Sequence, residues 1–92
     1  MSDMLFHALS NPCRRRIVSM LRHRTMSAGE IADSFSISQP SISRHLDVLK
    51  KAGVVTARRQ ANQMIYSLNV VVMQELVLYA TEVLTGACCD ST

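Results

Sequence analysis

Ninety-two residues, 48% of them hydrophobic, make one small domain. A chain of that size buries only about 60–65% of its unfolded surface and often relies on a second copy for stability. With two Tyr, two Phe and no Trp, its core must be aliphatic. No apolar run reaches the roughly 20 residues that span a bilayer, and no signal-peptide pattern opens the chain, so a cytoplasmic location is expected. Three Cys, two of them adjacent, form no disulfide scaffold and suit a reducing compartment. The net charge of +3 conceals an asymmetry. All ten Lys and Arg lie between Arg14 and Arg59, opposed there only by Glu30, Asp33 and Asp47, a local balance of +7. The remainder carries Asp3, Glu75, Glu82 and Asp90, a balance of −4. A basic middle between acidic ends is the footprint of a polyanion binder.

In chain order, Asp3–Leu9 is a short helix candidate with Leu5, Phe6 and Leu9 on one side. Ser10-Asn11-Pro12 starts a second helix, with Ser or Asn as cap and Pro where a missing N–H costs nothing. Pro12–Arg22 continues with Ile17, Val18 and Leu21 at helical spacing. Ser27 and Glu30 have capping-box spacing and open a helix whose stripe is Ile31, Ala32 and Phe35. Ser36-Ile37-Ser38 is a turn that leaves Ser38 as the cap of a helix over Gln39–Ala52. There Ile42, Leu46 and Leu49 share one face, and Gly53 supplies the left-handed residue that ends a helix. Val54–Arg59 and Met64–Leu68 alternate as strands around a polar tip, Gln60–Gln63. Asn69 caps a last helix, Val70–Thr85, followed by Gly86. The pattern predicts a mainly α fold with a small β-hairpin wing, ordered α1-α2-α3-α4-β-β-α5: a winged helix-turn-helix. It forms one domain over residues 1–92, with a DNA-reading core at 26–69, dimerisation helices at 3–9 and 70–85, and a tail at 86–92.

The last helix is apolar nearly all round, and such a helix must be buried on all sides. The chain has too little other mass to cover it, so a two-fold homodimer is expected. Its interface is assigned to Leu5, Leu9, Met73, Leu76, Val77, Ala80, Val83 and Leu84.

With Ile42, Leu46 and Leu49 inward, the helix at 39–52 presents Gln39, Pro40, Ser43 and Arg44, with Ser41 and His45 at its margins. Arg grips guanine bidentately, Gln pairs with adenine, and Ser suits base or phosphate. The free N–H groups at the helix start, beside Ser38, favour a phosphate. Arg58, Arg59, Gln60, Asn62 and Gln63 form a wing tip suited to the backbone or to a narrow minor groove. Lys50 and Lys51 suit phosphates or their own helix C-terminus. Of Arg14, Arg15 and Arg16, one is expected on phosphate and the others in intramolecular ion pairs. No nucleophile–base pair, phosphate-binding glycine loop or carboxylate dyad can be assembled from three Gly and seven acids so placed, which excludes an enzyme.

The run Phe6–Ile17 (FHALSNPCRRRI) resembles the opening signature of ArsR/SmtB-type repressors. Ser38–Leu46 (SQPSISRHL) resembles their recognition helix, and LKKAGVV with a YSLN strand end completes the likeness over about residues 4–85. The SdpR-like autorepressors are the nearest branch. The resemblance implies a homodimeric winged-helix repressor on an imperfect inverted repeat in a promoter, often its own. Metal-sensing members carry Cys pairs in the first helix of the motif, or Asp and His along the last. Neither pattern occurs here, so no standard metal site and no cofactor are expected. Two alternatives stand beside the leading one. Cys88 and Cys89, with Cys13, could make a thiol-based metalloid- or redox-responsive repressor of the same fold; otherwise the winged helix is a protein-interaction module. The effector is unknown.

Overall fold

The computed structural model describes residues 3–85, with side chains described over 3–81. Five helices and three strands follow one another: α1 (Asp3–Leu9), α2 (Pro12–Leu21), β1 (Met26–Ser27), α3 (Ala28–Asp33), α4 (Gln39–Lys51), β2 (Val55–Gln60), β3 (Gln63–Leu68) and α5 (Val70–Thr85). The fold is mainly helical with a small antiparallel sheet, a winged helix-turn-helix.

The starts of α2, α3 and α4 are each fixed by a side chain close in sequence. Asn11 Oδ1 accepts from the N–H groups of Cys13 and Arg14 at 2.8 and 3.2 Å, with Pro12 in the first helical turn. Ser27 and Glu30 close a full capping box: the Glu30 N–H donates to Ser27 Oγ at 3.1 Å, and the Ser27 N–H donates to Glu30 Oε1 at 2.9 Å. Ser38 Oγ accepts from the Ser41 N–H at 3.4 Å. α4 ends in a Schellman arrangement. The Gly53 N–H donates to the Lys50 carbonyl and the Val54 N–H to that of Leu49, both at 3.0 Å, with Gly53 at φ +84°. That left-handed turn lets the chain reverse from helix into strand.

The wing is longer and its turn tighter than the sequence suggests. Gln60 pairs with Gln63, so Ala61-Asn62 alone make the turn instead of four residues, and Ala61 takes a positive φ of 56°. The sheet also has a third strand that the pattern does not reveal. β1 pairs with β3 through Met26–Tyr66 and Ser27–Ile65, giving the order β1-β3-β2. Ser27 is thus both the end of a strand and the cap of α3.

The core is aliphatic. Ile17, Ile31, Ile42, Leu46, Leu49, Val54 and Val55 are all but fully buried. Leu5 belongs to this core at 3% exposure, and the exposed large apolar residues of α1 are Met4 and Phe6 instead. Among the described side chains, α5 joins the core only through Val72, Met73 and Leu76. The other apolar residues described on it lie outside, with Val77 and Leu78 61% and 65% exposed. The Tyr79 ring packs at 5.4 Å on that of Phe6, tying α5 to α1. Val83 and Leu84 lie beyond the described side chains, and Cys88 and Cys89 lie outside the described residues.

Candidate nucleic-acid interface

α4 carries the site because its two faces differ so sharply. Ile42, Leu46 and Leu49 are at most 1% exposed, anchoring one side to the core. On the other side Gln39, Pro40, Ser43 and Arg44 are exposed. Among the described residues, the side chains of Gln39, Ser43 and Arg44 have no hydrogen-bond or ion-pair partner in the chain. Ser41, half-buried, is engaged by Ser38, whose hydroxyl lies 3.0 Å from its own. Free polar groups held on a rigid helix are what base-edge recognition requires.

His45 sits elsewhere than a surface reading would place it. It is half-buried, and its Nδ1 lies 3.1 Å from Arg14 Nη1. An arginine only donates, so Nδ1 is the accepting nitrogen and the ring proton resides on Nε2. Burial of the ring, then the charges of Arg14 and Arg44, lower its pKa from the usual 6.5. The imidazole is neutral at pH 7.

The Arg14–Arg16 triplet serves the protein itself. Arg14 is 7% exposed. Its Nε donates to the Ala8 carbonyl at 2.7 Å and its Nη2 to that of His7 at 3.1 Å. Arg15 donates to the Leu9 carbonyl at 3.0 Å. Arg16 donates to the Ser34 carbonyl at 3.4 Å and lies 4.9 Å over the Phe35 ring. The expected ion pairs are replaced by bonds to carbonyls that the ends of α1 and α3 leave open. Sequence could have revealed Arg14, since it falls in register with Ile17 and Leu21 on the buried side of α2.

The wing brings Arg58, Arg59, Gln60, Asn62 and Gln63 together at the far end of the ribbon, all exposed. Arg58 and Arg59 are consecutive in a strand and so project from opposite faces. Lys50 is exposed without a partner among the described residues, whereas Lys51 is held by Asp47 at 3.0 Å. Cys13 is half-buried at the start of α2. Among the described residues no three His, Cys, Asp or Glu gather closely enough to share a metal ion, and no helix is long and apolar enough to cross a membrane.

Known proteins share this arrangement. A family model described as a helix-turn-helix domain matches residues 9–58. The chain is 45% identical over 73 residues to the transcriptional repressor SdpR of Bacillus subtilis (strain 168), covering 79% of this chain and 81% of that protein. It is 41% identical over 64 residues to the transcriptional repressor SmtB of Mycobacterium tuberculosis (strain ATCC 25618 / H37Rv), covering 70% of this chain and 47% of that one. The crystal structure of the ArsR family transcriptional regulator RHA00566 superposes with a TM-score of 0.83 over 98% of this chain and 91% of that one; at 20% identity it speaks for the fold alone. The chain belongs to the ArsR/SmtB-type family of winged helix-turn-helix transcriptional repressors.

Proposed function

We propose that the chain acts as a homodimer on an inverted-repeat operator in duplex DNA, each protomer laying α4 in the major groove of one half-site. The observation that carries this reading is the unpartnered polar face of α4, Gln39, Ser43 and Arg44, set against a fully buried apolar face. Arg44 suits a guanine, Gln39 an adenine, and Ser43 either a base or a phosphate. Pro40 and Ser43 keep the helix surface low, so that the backbone comes close to the groove wall. The α4 start, with its Ser38 and Ser41 cap, points free N–H groups at a phosphate. Lys50 and the wing residues Arg58, Arg59, Gln60, Asn62 and Gln63 hold the flanking backbone or enter the minor groove.

Dimerisation rests on the apolar surface that one protomer leaves open. Met4 and Phe6 of α1 and Val77, Leu78 and Tyr79 of α5 are all exposed, and the Phe6 ring packs on that of Tyr79. Beside them an open groove of about 520 Å³ is walled by Leu9, Val18, Leu68, Met73 and Leu76. Exposed apolar area of this extent marks an interaction surface, and a C2 pairing covers both copies at once. Met73, Leu76 and Leu9 then form the floor of the interface, and Val77 and Ala80 its rim.

The test is binding to a duplex recovered by iterative selection from a random-sequence pool, titrated over salt. Two protomers per duplex and a steep fall in affinity with salt are expected, since each neutralised phosphate releases counterions. A salt-independent response would favour a protein-interaction module instead.

A further inference from the structure

Arg14 uses three separate nitrogens on three separate targets. Nε and Nη2 take the last carbonyls of α1, and Nη1 takes the His45 ring on α4. We infer that the Arg14–His45 pair is a positioning device that sets the rotation of the reading helix against the α1 side of the protomer, and through it how well operator is told from other DNA. The inference rests on the reading of α4 as the recognition helix.

The contacts of Ile42, Leu46 and Leu49 hold α4 onto the core but are non-directional, so small rotations about its axis cost them little. A hydrogen bond weakens steeply as its geometry departs from linear. The bond at His45 is the polar link between α4 and α2, and the residue beside it in sequence is Arg44. Rotation of α4 swings the Arg44 guanidinium across the groove and degrades a bidentate fit, while phosphate contacts tolerate the same movement. Arg14 is held at its other end by a 2.7 Å bond from Nε to the Ala8 carbonyl and by its burial at 7% exposure, while the His7 carbonyl is shared with Ser10.

The link holds only while the imidazole is neutral. A protonated ring has no lone pair at Nδ1 and sets a cation against the Arg14 guanidinium at 3.1 Å. The charges that act on the ring are Arg14 from α2 and Arg44 of α4 itself. Of the other elements packed on α4, α1 bears Asp3 and His7, α3 bears Glu30 and Asp33, and β2 bears Arg58 and Arg59; none of these shifts it. The sign follows. The neutral ring is favoured by folding, so the link is intact above the ordinary histidine value of 6.5 and is lost as pH falls through the lowered value.

The experiment measures the ratio of affinities for the selected duplex and for a random-sequence duplex, between about pH 8 and about pH 5.5, in wild type, His45→Asn and His45→Leu. The ratio removes the general gain in DNA affinity that any new positive charge brings. Asn offers an oxygen near the position of Nδ1 and does not titrate; Leu fills the space without an acceptor. Wild type should lose roughly tenfold in the ratio at the acid end, the worth of one hydrogen bond to a charged group. His45→Asn should hold a wild-type ratio throughout, and His45→Leu should be low at every pH while still binding random duplex. Thermal melting confirms that both variants are folded; Arg14→Gln provides a second low-ratio variant. A His45→Leu ratio equal to wild type at about pH 8 overturns the inference, as does a wild-type ratio that stays flat over a pH range in which NMR shows the His45 ring becoming protonated. A wild type that binds selected and random duplex alike at about pH 8 overturns the recognition-helix reading itself.

Discussion

Arg44 and Arg14 have identical side chains and opposite duties, and burial decides which is which. Arg44 is exposed and unpartnered among the described residues, so truncating it leaves the fold intact and removes only the base contact proposed for it. Arg44→Ala should cost about 1–3 kcal/mol on the preferred duplex and relax specificity there, with little change on random DNA; competition titrations on the two duplexes check this. The same logic distinguishes Lys50, whose loss should weaken all sequences evenly and flatten the salt slope by about one unit. The exposed face of α4 was legible in the sequence because it is the complement of an apolar stripe at 42, 46 and 49. Arg14 and His45 were not, because a polar side chain reads as surface chemistry, Arg14 as a phosphate or ion-pair partner and His45 as the margin of the reading face. Only the register of Arg14 with Ile17 and Leu21 betrays it. Glu30 gives a residue-scale test of the capping box. The Ser27 N–H, donating to its carboxylate, is the main cause that lowers its pKa from 4.5; desolvation opposes it and the charge of Arg24 adds to it. A depressed carboxyl contributes stability above its unfolded value, and that contribution is lost as pH falls through the folded one. Melting curves should therefore show wild type losing more stability than Glu30→Gln between neutral pH and about pH 3.5.

At the scale of elements, the helices were readable because their signals are local. Asn11, Ser27 and Ser38 each act on backbone within three residues, and Gly53 acts on its own φ. β1 escaped because two residues carry no period and their partners, Tyr66 and Ile65, lie far along the chain. The turn shortened for the same reason: strand pairing extends to Gln60 and Gln63 once β3 is held on both edges. Two substitutions probe this level. Gly53→Ala forces a Cβ into left-handed backbone, although the space is open, the nearest atom being Val72 Cγ2 at 3.8 Å. It should destabilise by about 1–2 kcal/mol in denaturant melts. Ala61→Gly should act in the opposite direction by about 0.5 kcal/mol, relief of the turn outweighing the added freedom of the unfolded chain.

For the whole molecule, the fold divides its surfaces by chemistry. One carries free polar and basic groups on α4 and the wing, the other the open apolar area of α1 and α5. Among its described side chains α5 touches its own core through three only, so the rest of that described surface is the feature that a single protomer leaves unexplained. Leu78→Glu, at a position 65% exposed, should leave the monomer folded, abolish dimerisation in sedimentation, and reduce operator affinity far more than random-DNA affinity. On the proposed function, two protomers make one two-headed reader. Hydroxyl-radical footprinting of the selected duplex tests that most directly. Two protected patches related by a two-fold axis, with centres about one helical turn apart or a multiple of it, are expected. A single protected patch, saturated by one protomer, would contradict the account.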